Sequence, residues 1–132
     1  MREEIGFLKE RAKEFWERAD EDFQKGRFNL CALDIEQAVQ IWLKYLIAIK
    51  AGDFPKTHYL DDLINEITNI YETDKVTKFY KGNILQIRSL EDAYITSRYF
   101  PKKFSKDEIE SLKQLAENLF KVLESATNEK FI

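Results

Sequence analysis

In the stretch SRYFPKK, Ser97 to Lys103, an arginine and a tyrosine stand side by side, followed by a proline and two lysines. A guanidinium grips phosphate as a planar fork, and a tyrosine ring stacks on a nucleobase. Arg98, Tyr99 and Lys102 are therefore candidate contacts for a phosphate or nucleotide, with Lys103 adding positive charge. A second reading needs no ligand. A cation in the last turn of a helix offsets the negative end of its dipole, and a tyrosine there packs over the bundle edge. The residue types leave both readings open. His58, the one histidine, lies beside a predicted helix start, where capping or packing competes with proton transfer or with lining a pocket next to Arg98.

Other chemistries find less support. Glu36, Gln37, Gln40 and Lys44 sit at helical spacings and predict a solvated or interhelical polar edge. Asp61-Asp62 and Glu91-Asp92 are neighbours in sequence, so they point apart on a helix and make no acid–base dyad. The single cysteine, Cys31, allows no internal disulfide, and with one histidine it supplies no zinc site. No glycine-rich phosphate loop occurs. The sequence thus assigns no catalytic residue, no metal and no cofactor.

The elements that must position these residues are helices. Apolar residues recur at steps of three and four almost throughout, and strand-like alternation is missing. Segments are predicted at about 3–25, 30–50, 58–71 and 75–97, and a last one follows a Ser105–Glu108 capping box. Gly26 suits the cap between the first two, Gly52 and Pro55 end the second, and Thr57 is placed to cap the third. The second segment carries the widest apolar stripe and is expected to be central. Short connections imply an all-α, up-and-down antiparallel bundle of four long helices plus one shorter bridging helix. Residues 1–126 are expected to form that bundle, with 127–132 as a loose tail.

Bulk properties set the frame. The chain of 132 residues suits one domain; 44% hydrophobic and 14% aromatic residues are enough for one core. The charge of −3 argues against a broad nucleic-acid coat and leaves a local basic patch open. A charged N-terminus and the lack of any apolar run near membrane length predict a soluble, cytoplasmic protein with no membrane contact. The aromatics are too many for one side only. Phe7, Trp16 and Tyr45, where they fall outside the stripes, would form an exposed patch for a partner.

Three stretches, in order, resemble HEPN domains, the higher-eukaryote and prokaryote nucleotide-binding helical bundles. The first, RAKEFWERADEDFQKGRFNLCALDIEQAVQIWLKYLI, is similar to the family's opening hairpin, with Ala12, Ala19 and Asp20 leading to Cys31, Glu36-Gln37-Ala38 and Leu43-Lys44. PKTHYLDDL supplies Pro55, Thr57, His58 and Leu60, and SLEDAYITSRYFP resembles the helix that ends in Arg-Tyr-Pro, with Phe100 inserted before Pro101. Many HEPN ribonucleases follow an arginine by a histidine after roughly four to six residues, so that one steadies phosphate charge while the other moves a proton. Here Arg88 is followed at those spacings by Ala93, Tyr94 and Ile95, and Arg98 by Lys103, Phe104 and Ser105.

The resemblance therefore implies an interaction module. It would be a prokaryotic homodimer that partners a small nucleotidyltransferase in a toxin–antitoxin type system and binds a nucleotide or RNA. The alternative is a divergent, metal-independent ribonuclease toxin using Arg88 or Arg98 with Tyr94, Tyr99 or His58. Because two of the similar stretches end near them, Arg98, Tyr99 and His58 are expected around one shallow groove.

Overall fold

The structure, a computed structural model, describes residues 2–131, with side chains from Ile5 onward. The described residues form six helices and no strand: α1 (Arg2–Gln24), α2 (Phe28–Ala51), α3 (Leu60–Ile70), α4 (Lys75–Gly82), α5 (Ile84–Tyr99) and α6 (Lys106–Thr127). None of these helices is long and apolar enough to cross a membrane.

α1 and α2 make an antiparallel hairpin. Lys9 near the start of α1 sits 5.8 Å from the ring of Trp42 late in α2, while Arg18 and Ala19 meet Asp34 and Cys31 near its beginning. The reversal passes through Gly26, whose φ of 72° lies in the left-handed region that a side chain disfavours. As the wide stripe predicts, α2 is the central helix: it packs against α1, α3, α5 and α6. Gly52 ends it at φ 89°, donating its N–H to Ala48 O at 2.8 Å, the αL cap expected of glycine.

Three features depart from the sequence reading. The segment predicted as one helix over 75–97 is two. Asn83, at φ −135° and ψ 27°, leaves the helical path between α4 and α5, and its side-chain amide donates to Phe79 O. A Gly-Asn pair has too little helix propensity to hold the segment straight. Thr57 is not the cap of α3. Its hydroxyl accepts from Tyr59 N and donates to Asp62, whereas the Leu60 N–H is taken by Glu91 Oε1 at 2.7 Å, from α5. The Ser105–Glu108 capping box, by contrast, forms in both directions at the start of α6.

The third departure concerns the aromatics and the tail. Trp16 and Tyr45 are buried, so the exposed patch expected around them does not form; of that trio only Phe7 is exposed. The segment after α6 is not loose up to Phe131, whose ring stacks on Phe120 at 4.0 Å and meets Trp42 and Trp16 edge-on. Ile132 lies outside the described residues. The large apolar side chains left exposed belong mainly to α5 and its flanks: Leu85, Ile95, Tyr99 and Phe100, with Tyr59 before α3.

Candidate functional site

The site is built where the end of α5 meets the start of α3. Arg98 stands in the last turn of α5 and donates its Nε–H to Tyr94 O, 2.8 Å away and one turn back. That places its guanidinium 4.5 Å from the Tyr94 ring centre and 4.8 Å from the Tyr99 ring centre. The bond to a last-turn carbonyl is what a cation at a helix C-terminus is expected to make. It uses only Nε. The terminal nitrogens of Arg98 make no hydrogen bond or ion pair among the described residues. The two readings of Arg98 are therefore compatible: one edge of the fork anchors to the helix and the other is open.

His58 reaches the same place from the loop before α3. Its ring lies 4.9 Å from Tyr94, only 15° from parallel, and 4.3 Å from Tyr59. His58, Tyr94, Arg98 and Tyr99 thus form a continuous run of flat groups. A shallow cavity of about 120 Å³ opens beside it, lined by His58, Tyr59, Glu91, Asp92, Tyr94 and Ile95. Tyr99, 71% exposed, borders this run without lining the cavity.

Lys102 does not join them. Its ammonium pairs with Glu108 at 2.8 Å and lies 4.8 Å from the Phe104 ring, while its carbonyl accepts from Asn29. The chain turns after Pro101, so this lysine serves the start of α6 instead. Arg98, Tyr99 and His58, the three residues expected around one groove, lie along one run of rings, but of them only His58 lines the cavity; Lys102, the further candidate contact, is held elsewhere.

Tyr94 is the residue that joins His58 to Arg98, and no single-residue reading gave it that part. Its signal was its position four residues before Arg98, which puts ring and guanidinium on one helix face. Glu91 was also missed. It caps α3 and lines the cavity, and burial raises its carboxyl above the ordinary range. Only a tertiary contact reveals that role.

Beneath the groove lies the polar set on α2. It is no solvated edge: Glu36 is fully buried and Gln40 nearly so. Gln37 and Gln40 each donate to one Glu36 oxygen at 2.7 Å, and Lys44 donates to Gln40 at 3.1 Å. Burial pushes the Glu36 carboxyl up to about 7, outweighing the two amide donors that favour its charged form. The nearby Glu91 charge adds to the rise, so acidic groups stand behind and beside the cavity.

Chemically the arrangement offers flat faces for stacking, an open guanidinium edge for an anion, and ring nitrogens on His58 with no hydrogen-bond partner among the described residues. Arg98 and His58, forty residues apart in sequence, each lie against the Tyr94 ring.

Comparison with known proteins agrees with the fold. No curated protein matches the chain. The family model described as HEPN domain matches residues 5–126, nearly the whole bundle, and by that match the chain belongs to the HEPN domain family.

Proposed function

We propose that this protein is a HEPN interaction module that binds a nucleotide or an RNA segment in the groove between His58 and Arg98. The family suggests a nucleotide- or RNA-related role. The single observation that carries the reading is the run His58–Tyr94–Arg98–Tyr99, with the far edge of Arg98 unpaired among the described residues. A base stacks on an exposed ring while its phosphate takes the guanidinium. Tyr99 and Tyr59 are the exposed rings available. In this reading the protein works in the cytoplasm as a homodimer and is held in check by, or acts with, a small nucleotidyltransferase in a toxin–antitoxin type pair.

Calorimetry with ATP, AMP and a short RNA tests it. Binding is expected, and Arg98→Ala is expected to lose about 1.5–3 kcal/mol, the worth of a charge-assisted hydrogen bond. Tyr94→Leu, which removes the shared ring, should weaken binding with the fold intact. Absence of binding by all three ligands defeats the reading.

The Arg98–Tyr94–His58 contact also supports the alternative, a divergent metal-independent ribonuclease. Labelled RNA incubated at several pH values distinguishes the two. Cleavage that disappears in both Arg98→Ala and His58→Ala, each folded, supports the enzyme; an RNA bound and left whole supports the module.

A further inference from the structure

Charge is divided unevenly around the groove. On its α3 side stand acids: Asp61 and Asp62 in the first turn of α3, and Glu91 and Asp92 at the cavity rim. Asp61 and Asp92 lie near enough to Glu91 for their charges to raise its carboxyl further. Lys56 and Arg88 flank these stretches in sequence and leave the acids in excess. A phosphate chain is repelled on that side.

The other side is basic. Past Tyr99 the chain runs through Phe100 and Pro101 to Lys102 and Lys103, and Asn29 holds it against the start of α2. The Asn29 amide donates to Lys102 O at 2.8 Å and accepts from Phe104 N at 2.9 Å. This clasp sets the α5–α6 loop beside the α1–α2 turn, and the Lys106 ammonium lies 5.9 Å from the Phe23 ring across the join. Lys25, Arg27, Lys102, Lys103 and Lys106 thus share one end of the bundle, and all are exposed. Arg27 faces Asp22 at 3.8 Å, and Lys102 pairs with Glu108. Lys25, Lys103 and Lys106 have no carboxylate partner among the described residues. Glu21 and Asp107, the other acids here, make no ion pair either, so the three lysines with Arg98 leave this end positive.

The fold alone does not explain these lysines. Lys106 opens α6, where a cation opposes the positive end of the helix dipole. The capping box occupies the helix start, so what this end offers is side-chain charge. Tyr99 and Phe100, 71% and 59% exposed, stand in the chain between the acidic and the basic side. Exposed rings beside cations that no carboxylate claims are the pattern of a single-strand path, in which bases stack on rings and cations track the phosphates.

We propose that the groove receives the terminal nucleotide of a single-stranded RNA, and that the strand leaves over Tyr99 and Phe100 onto the end of the bundle carrying Lys25, Lys103 and Lys106. The acids on the α3 side close the other exit. The ligand is therefore the end of an oligonucleotide, and a mononucleotide fills only part of the site. This inference rests on the nucleotide reading of the groove and adds to it the side on which the strand runs out.

Calorimetry of the full chain with AMP and with a linear oligoadenylate of about eight nucleotides tests it. The linear strand is expected to bind at least about tenfold more tightly than AMP at low salt. The triple variant K25Q/K103Q/K106Q should lose that advantage. It should also flatten the dependence of log affinity on log salt by about two, from three phosphates at roughly 0.7 each, with AMP binding unchanged. The same number of substitutions on α4, K75Q/K78Q/K81Q, should change neither. A circular oligoadenylate of equal length has no terminus and should bind at least about tenfold more weakly than the linear strand. With AMP still bound, any of three results overturns the inference alone: a linear strand no tighter than AMP, a triple variant with wild-type salt dependence, or a circle bound as tightly as the linear strand. Polyglutamate that binds as tightly as the strand and displaces it would make this end a surface for an acidic protein, which also overturns the inference. Loss of AMP and strand binding alike defeats the groove reading and the inference with it.

Discussion

Asp34 and Glu36 lie two residues apart on α2, both fully buried, yet they face different neighbours. Asp34 accepts from Arg18 Nε at 3.0 Å and Nη2 at 2.7 Å through one oxygen. Its second oxygen meets no donor, and burial, with the neighbouring Asp22 carboxylate, raises its carboxyl well above the usual range. Glu36 is raised to about 7 by burial. In each case the folded chain holds a proton that the unfolded chain releases near pH 4. The folded state therefore binds more protons between about pH 4 and 7, and its stability falls as pH rises through that window. Urea midpoints measured from pH 5 to 8 should decline. Glu36→Gln and Asp34→Asn, which keep the size and lose the titration, should each flatten the decline, by on the order of 2 kcal/mol across it. Equal slopes in wild type and both variants would refute this. The acids' spacing was legible in the sequence, but their burial was not. Helical periodicity says which residues share a face and is silent on which other helix covers it. The same limit explains why Lys102 was grouped with Arg98: nearness along the chain was mistaken for nearness in space, across a turn that carries the lysine to Glu108.

At the scale of the elements, five helical stretches were legible because each carries its own stripe, and the capping box at Ser105 was legible because it is local. The cap of α3 was not, because it comes from 31 residues away. Glu91 ties the first turn of α3 to the middle of α5 and so fixes the loop that presents His58 to Tyr94. Removing it should act on both stability and site. Glu91→Ala is expected to cost about 1 kcal/mol, as loss of a helix N-cap does, more than its burial would suggest for a rim carboxylate. The His58 ring resonances should move as well, since the stack on Tyr94 loosens. Glu91→Gln retains an acceptor oxygen and should recover most of both effects. An alanine variant that melts like wild type with His58 unmoved would show that α3 is set by its apolar face alone, through Leu60, Leu63, Ile64 and Ile67. The split between α4 and α5 belongs to this scale too. Apolar residues continue in helical register across Gly82-Asn83, so periodicity carried the prediction straight through a place where the backbone bends.

For the whole molecule, the closing of the bundle depends on a residue outside every helix. Phe131 is 2% exposed and fits among Trp16, Trp42 and Phe120, which come from α1, α2 and α6. One ring thus joins three helices at the end of the bundle remote in sequence from the α1–α2 turn. Near the chain terminus a single phenylalanine after TNEK carries no periodic signal, so the sequence reading left it in a tail. Its path is set by Asn128, which caps α6 at a positive φ of 64° and turns the chain back, while Glu129 N donates to the Thr127 hydroxyl. Removing a buried phenylalanine costs about 3–5 kcal/mol, a large share of the roughly 5–15 kcal/mol that holds a domain folded. Phe131→Ala should therefore lower the melting temperature by on the order of 10 °C. It should also alter tryptophan emission in the folded state, because Trp16 and Trp42 both lose an edge-on neighbour. Phe131→Leu, which keeps most of the apolar volume, should recover about half of the stability and little of the emission. A Phe131→Ala protein with unchanged melting and unchanged emission would mean that the ring stands outside the core in solution, and that α1, α2 and α6 close on each other without it.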